Sequence, residues 1–138
     1  MKFLCAICCL WLLAWPLHAV EVVAHASVSE QRLSTSQLRA IFTMRQTRWA
    51  DGQLIQVFVL HSEHEQHLLF SRNYLKMFPY QLDAIWARQR YSGIGSFPIQ
   101  VTSLLEMQQR LQQTPGAIGY LTTDLMSSDL NVVAINEK

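Results

Sequence analysis

Residues Leu54 to Leu60 (Leu-Ile-Gln-Val-Phe-Val-Leu) form a nearly continuous apolar run, and this run restricts the fold more than any other feature of the chain. A strand that is apolar on both faces has to be covered on both faces, so helices must flank the sheet that contains it. Asp51-Gly52 marks a turn before the run, which is read here as the central strand. Ser62-Glu63-His64-Glu65 follows it directly and has the Ser-x-x-Glu form of a capping box, with Phe70, Tyr74, Met77 and Phe78 recurring behind it on one face. The strand is thus expected to run straight into a helix.

The covering helices are legible in the same way. Ser34-Thr35-Ser36-Gln37 reads as a capping box, with Leu33 placed to staple onto Leu38, and with Leu38, Ile41 and Phe42 at helical spacing. Pro79 stands at the favoured first position of another helix, which carries Leu82, Ile85 and Trp86 inward. Ser103-Leu104-Leu105-Glu106 is a third capping box, and its helix has to end at Thr114-Pro115-Gly116. Glu21 to His25, Ala117 to Leu121 and Asn131 to Ile135 read as further strands, and Ser92 to Pro98 as the longest loop. With no repeat or linker in between, the expected fold is one α/β domain, a small mixed sheet flanked by helices. Phe42, Val57, Phe70, Trp86 and Ile118 are expected to meet in its core.

The start of the chain reads differently. Lys2 supplies a positive charge, Phe3 to Trp15 is apolar, and Leu17-His18-Ala19 offers a small residue for cleavage, so residues 1–19 are expected to be a secretory signal cut after Ala19. Thirteen apolar residues are fewer than the roughly 20 that a spanning helix needs. Cys5, Cys8 and Cys9 are the only cysteines, and all three leave with the signal. The expected mature domain, residues 20–138, therefore has no disulfide, thiolate nucleophile or cysteine-held zinc. Its basic and acidic side chains balance once Lys2 is gone, which implies no nucleic-acid partner.

Three stretches, in this order, carry a family resemblance: Leu33-Ser34-Thr35-Ser36-Gln37-Leu38-Arg39-Ala40-Ile41-Phe42, Tyr91-Ser92-Gly93-Ile94-Gly95, and Thr114-Pro115-Gly116-Ala117-Ile118-Gly119-Tyr120. The chain resembles the substrate-binding proteins of phosphate ABC transporters, within the type II periplasmic binding protein superfamily. Full-length members have two α/β lobes with phosphate between them, and the mature chain has the length of one. The resemblance implies a periplasmic, non-catalytic, solute-binding-like protein for phosphate or another small anion, served by a membrane transporter or envelope protein. The family wraps phosphate with an arginine and a Ser-Gly-Thr run between a strand and a helix. The matching stretch here, Leu60 to His67, has neither, and it places Glu63 and Glu65 where the anion would arrive. Phosphate binding is accordingly expected to be weak or absent, unless a homodimer closes a cleft with this turn facing the same turn of a second copy.

The turn from His61 to Gln66 is still the expected ligand position, because α/β folds place sites at strand ends beside unpaired helix amides. His61, Ser62 and Gln66 are its candidate residues, although an ordinary capped helix accounts for the same pattern. His61, His64 and His67, with Glu63 and Glu65, form an alternative set of metal ligands without zincin spacing. A further alternative is an interaction module with no solute. No cofactor is implied, and no motif brings a nucleophile, a base and an orienting acid together. Gly93 and Gly95 read as turn glycines rather than a phosphate loop, and Trp49 and Trp86 as core or rim residues. Arg45, Arg48, Arg88 and Arg90 read either as one anion patch or as scattered surface charge.

Overall fold

Strand β1 (Val20–His25) opens the domain, and a short β2 (Arg32–Ser34) leads into α1 (Thr35–Phe42). The computed structural model describes residues 19–93 and 95–137, so the expected signal segment, apart from Ala19, lies outside the described residues. The Ser34 capping box forms as expected: Ser34 Oγ accepts from the Gln37 amide at 3.1 Å, and Gln37 Oε1 accepts from the Ser34 amide at 2.9 Å. Next come β3 (Gln56–Leu60) and α2 (Glu65–Phe70), which continues through one π turn (Ser71–Leu75) to Lys76 in the left-handed region. Helix α3 (Pro79–Ser92) ends at Gly93, whose φ of 65° stops the helix. Then follow β4 (Ile99–Val101), α4 (Leu104–Gln113), β5 (Ala117–Thr122), β6 (Leu130–Val132) and β7 (Ala134–Asn136).

The five-stranded sheet has the order β4-β3-β5-β1-β6. Strand β3 is parallel to β4 and β5, whereas β1 is antiparallel to β5 and β6, so the sheet is mixed as expected. Its middle strand is β5, in place of the expected Leu54 to Leu60. All six residues of β5 are buried, but Gly119, Tyr120 and Thr122 dilute its apolar signal. Gly119 is needed because α4 lies close: a Cβ there would stand 2.7 Å from Met107 Sδ. The Leu54 run itself enters the sheet late, since Leu54 is exposed and bridges only Arg48.

The expected closing strand 131–135 is two strands. Val133 donates its amide to Val22 O and Ala134 donates to Gln31 O, which carries the chain off the main sheet, and β7 pairs in parallel with β2 as a separate two-stranded sheet. The third capping box is half formed. Ser103 Oγ accepts from the Glu106 amide, while the Glu106 carboxylate turns to the amide and hydroxyl of Thr102. The helix reading that ran to Phe78 stops at the π turn, and Phe78 is exposed.

Phe42, Val57, Phe70, Trp86 and Ile118 share one buried core. Phe70 stacks on Tyr120 at 4.1 Å between ring centroids and meets Phe42 at 4.7 Å, a spacing at which aromatic pairs add about 0.5–1.5 kcal/mol beyond burial. The two buried indoles pair as they must: Trp86 Nε1 donates to Phe42 O and Trp49 Nε1 to Gly116 O. No helix among the described residues is long and apolar enough to cross a membrane.

Candidate functional site

The end of β3 is built around one tyrosine. Pairing of β3 with β5 reaches only as far as Val57 and Ile118. Beyond that point the Leu60 amide donates to Tyr120 Oη at 2.8 Å, and the same hydroxyl lies 2.6 Å from His67 Nδ1. Tyr120 Oη accepts from Leu60, and its one proton has Nδ1 as acceptor in the tautomer that carries the His67 proton on Nε2. That Nε2 is buried without a partner among the described residues. Burial is the main cause that lowers the His67 pKa from 6.5 to about 4, opposed in part by Asp83 and reinforced by His64 and His61. Burial also pushes the Tyr120 hydroxyl well above its ordinary pKa. Both rings are therefore neutral near pH 7 and act as a tie between β3, β5 and α2.

The turn after β3 departs from the expected capping box. Helix α2 starts at Glu65 with His64 as its cap, because His64 Nδ1 accepts from the Gln66 amide at 3.3 Å. His61 Nδ1 likewise accepts from the Glu63 amide at 3.2 Å. In both cases an imidazole nitrogen reaches two residues forward, as an Asn or Asp side chain does, and Ser62 is left out of the cap. The three histidines of the metal alternative thus have separate tasks: His61 and His64 brace the turn, and His67 faces the core. Among the described residues no group of three or more metal-ligating side chains is gathered.

A cleft of about 290 Å³ opens where β3 ends, between α3 and the start of β4. His61 and Ser62 line it, whereas Gln66, the third candidate, does not. Helix α3 contributes Asp83, Trp86 and Arg90, and Gln100 comes from β4. Residues 83, 86 and 90 share one helical face, so the inward position of Trp86 carries Asp83 and Arg90 to the cleft. Arg90 stands 5.1 Å over the Phe97 ring, a cation–π contact that steadies its guanidinium. The strand-to-helix turn itself has no arginine, and the one at this cleft comes from the next helix. Sequence reasoning named this residue only as one of four arginines in a possible patch and not at this cleft, although its offset of four from Trp86 was the available signal.

Of the two readings of the four arginines, the structure bears out the scattered one. Arg48 donates to Gly52 O, Arg90 lines the cleft, and Arg45 and Arg88 line a different groove. Gly93 and Gly95 have φ of 65° and 94°, consistent with their turn reading. Chemically, the cleft offers guanidinium, hydroxyl, amide and imidazole groups against the one carboxylate of Asp83. That set suits a small anion better than a cation.

No family model and no curated protein matches the chain. Solved structures show what the fold is similar to: it resembles about half of the phosphate ABC transporter binding proteins it matches. In particular it is similar to the ABC-type phosphate transport receptor from Vibrio cholerae, with a TM-score of 0.65 at 13% identity over 84% of this chain and 45% of that chain. PstS from Borrelia burgdorferi matches with a TM-score of 0.61 at 16% identity, over 86% of this chain and 47% of that one. A Clostridium perfringens structure with bound phosphate matches with a TM-score of 0.60 at 15% identity, over 84% and 44%. The chain thus spans about half the length of the structures it matches.

Proposed function

We propose that this chain is an exported, non-catalytic, solute-binding-like protein of the periplasm, cleaved after Ala19, whose cleft takes phosphate or another small anion weakly. The observation that carries this reading is the convergence of Arg90 with His61 and Ser62 at the end of β3. A charge-assisted hydrogen bond is worth about 1.5–3 kcal/mol, so two from a bidentate guanidinium, about 3–6 kcal/mol together, support capture of a free anion in the millimolar to high-micromolar range. Two features keep it weak: Asp83 stands in the same cleft, and Glu63 and Glu65 are exposed on the adjoining turn. Pairing with a second copy is the simplest way to close the cleft, and a transporter or envelope protein is the expected partner.

Thermal shift of the mature domain in a phosphate series tests the reading, since a ligand that binds only the native state raises the melting temperature by mass action. The wild type should rise at high phosphate and Arg90→Gln should not. An equal rise in both would remove the cleft from the account. An interaction module without solute is the second reading, favoured by Phe78 and Tyr80, which are exposed and stacked on each other at 5.7 Å.

A further inference from the structure

Arg88 and Arg90 leave α3 on different faces, and the groove that receives Arg88 is chemically unlike the anion cleft. It has a volume of about 370 Å³ and lies between the end of α1 and the middle of α3. Its floor includes the half-buried Met77 and Ile85, and its rim carries Arg39, Arg45 and Arg88. Two of these guanidiniums are held in place: Arg39 Nε donates to Leu75 O at 3.0 Å, and Arg45 Nε donates to Thr43 Oγ1 at 3.2 Å. Fixing Nε orients the guanidinium plane and leaves its two terminal amino groups for a ligand.

No acidic residue lines this groove. Among the described residues the Lys and Arg ion pairs are Lys76 with Glu137 and Arg110 with Glu106, so the three rim arginines have no carboxylate partner. Three like charges around one groove repel each other, and an anion relieves that repulsion. Gln89, also at the groove, spends Nε2 on Thr43 O at 2.9 Å, and its Oε1 has no donor. An inorganic anion alone would leave the Met77 and Ile85 surface wet, whereas a purely apolar molecule would leave the guanidiniums unused.

We infer that this groove is a second binding site, for a soluble amphiphile bearing one carboxylate on a short aliphatic chain. The volume falls in the range of small-ligand pockets. The planar guanidinium edges match a carboxylate in bidentate fashion, and Met77 is the adaptable side chain such a chain needs beneath it. Because α3 separates the groove from the anion cleft, this inference does not rest on the proposed function.

The test is a calorimetric titration of the mature domain with decanoate at low ionic strength. Saturable one-to-one binding is expected. Acetate, the head without the chain, and decyltrimethylammonium, the chain with the opposite charge, should each bind at least about tenfold more weakly. The double variant Arg45→Glu/Arg88→Glu replaces exposed side chains and should lose decanoate affinity by about tenfold or more, with its fold retained by circular dichroism and its phosphate response unchanged, because neither residue lines the anion cleft. Ile85→Ser should weaken decanoate while leaving all three arginines in place. Equal affinity of the double variant and the wild type, equal affinity for decyltrimethylammonium, or the absence of saturable decanoate binding would each overturn the site. Association with phosphatidylglycerol vesicles alone, with no affinity for decanoate, would also overturn it and make the groove a membrane-facing surface.

Discussion

Acidification should destabilise this protein, in a separable part, through one residue, His67. The ring is fully buried and its pKa is lowered from 6.5 to about 4, mainly by desolvation. Above pH 6.5 the ring is neutral in both the folded and the unfolded chain, and it makes no pH-dependent contribution. As pH falls below 6.5 the unfolded chain takes up a proton that the folded chain refuses until about pH 4, so stability falls across that window and levels off below it. At 1.36 kcal/mol per pH unit of separation, the loss is about 2 kcal/mol at pH 5 and about 3 kcal/mol at pH 4. With a urea dependence of about 2 kcal/mol per molar, the first figure moves the unfolding midpoint down by about 1 M. Urea unfolding of the wild type and His67→Gln at matched pH values between 4 and 8 isolates the effect. Glutamine does not titrate and can still partner the Tyr120 hydroxyl, so carboxylates elsewhere contribute equally to both curves. The wild type should lose about 2 kcal/mol more than the variant between pH 7 and pH 5. Parallel curves would refute the reasoning and place His67 in contact with solvent.

Trp86→Ala should cost about 3–5 kcal/mol and lower the melting temperature by about 10 °C or more, since it empties a large buried site and strips Phe42 O of its indole donor. A melting temperature that barely moved would mean that α3 is not seated on the core. Gly116→Ala should be similarly severe, because φ is 76° there and a Cβ would collide with the backbone oxygen of Leu54; circular dichroism during urea unfolding reads the loss, expected at about 2 kcal/mol or more.

Local chemistry made much of this fold legible. Ser34 and Gln37 fit the capping-box pattern, Pro79 starts a helix and Gly93 is a turn glycine with positive φ, and each holds in the structure. The five expected core residues meet because each stands on the apolar face of its own element. Sheet order was harder to read, since the most apolar run is not the middle strand. Strand β5 takes that place with a glycine that admits α4 and a tyrosine whose hydroxyl serves β3, and both lower its apolar signal. The turn after β3 was misread because Ser62 and Glu65 match a capping box that His64 displaces, and imidazole capping has no pattern of its own in sequence. Arg90 reaches the cleft through the pitch of α3, and what sequence does not give is that this face of the helix lies beside the end of β3.

The weak anion site proposed at the end of β3 decides between the two functional readings. Calorimetric titration of the mature domain with phosphate at pH 7.5 tests it most directly. The account predicts a dissociation constant in the high-micromolar range or weaker, about a thousandfold or more above that of a site with three further charge-assisted hydrogen bonds, and loss of even that in Arg90→Gln. Submicromolar binding, or binding of any strength that Arg90→Gln leaves intact, would contradict it.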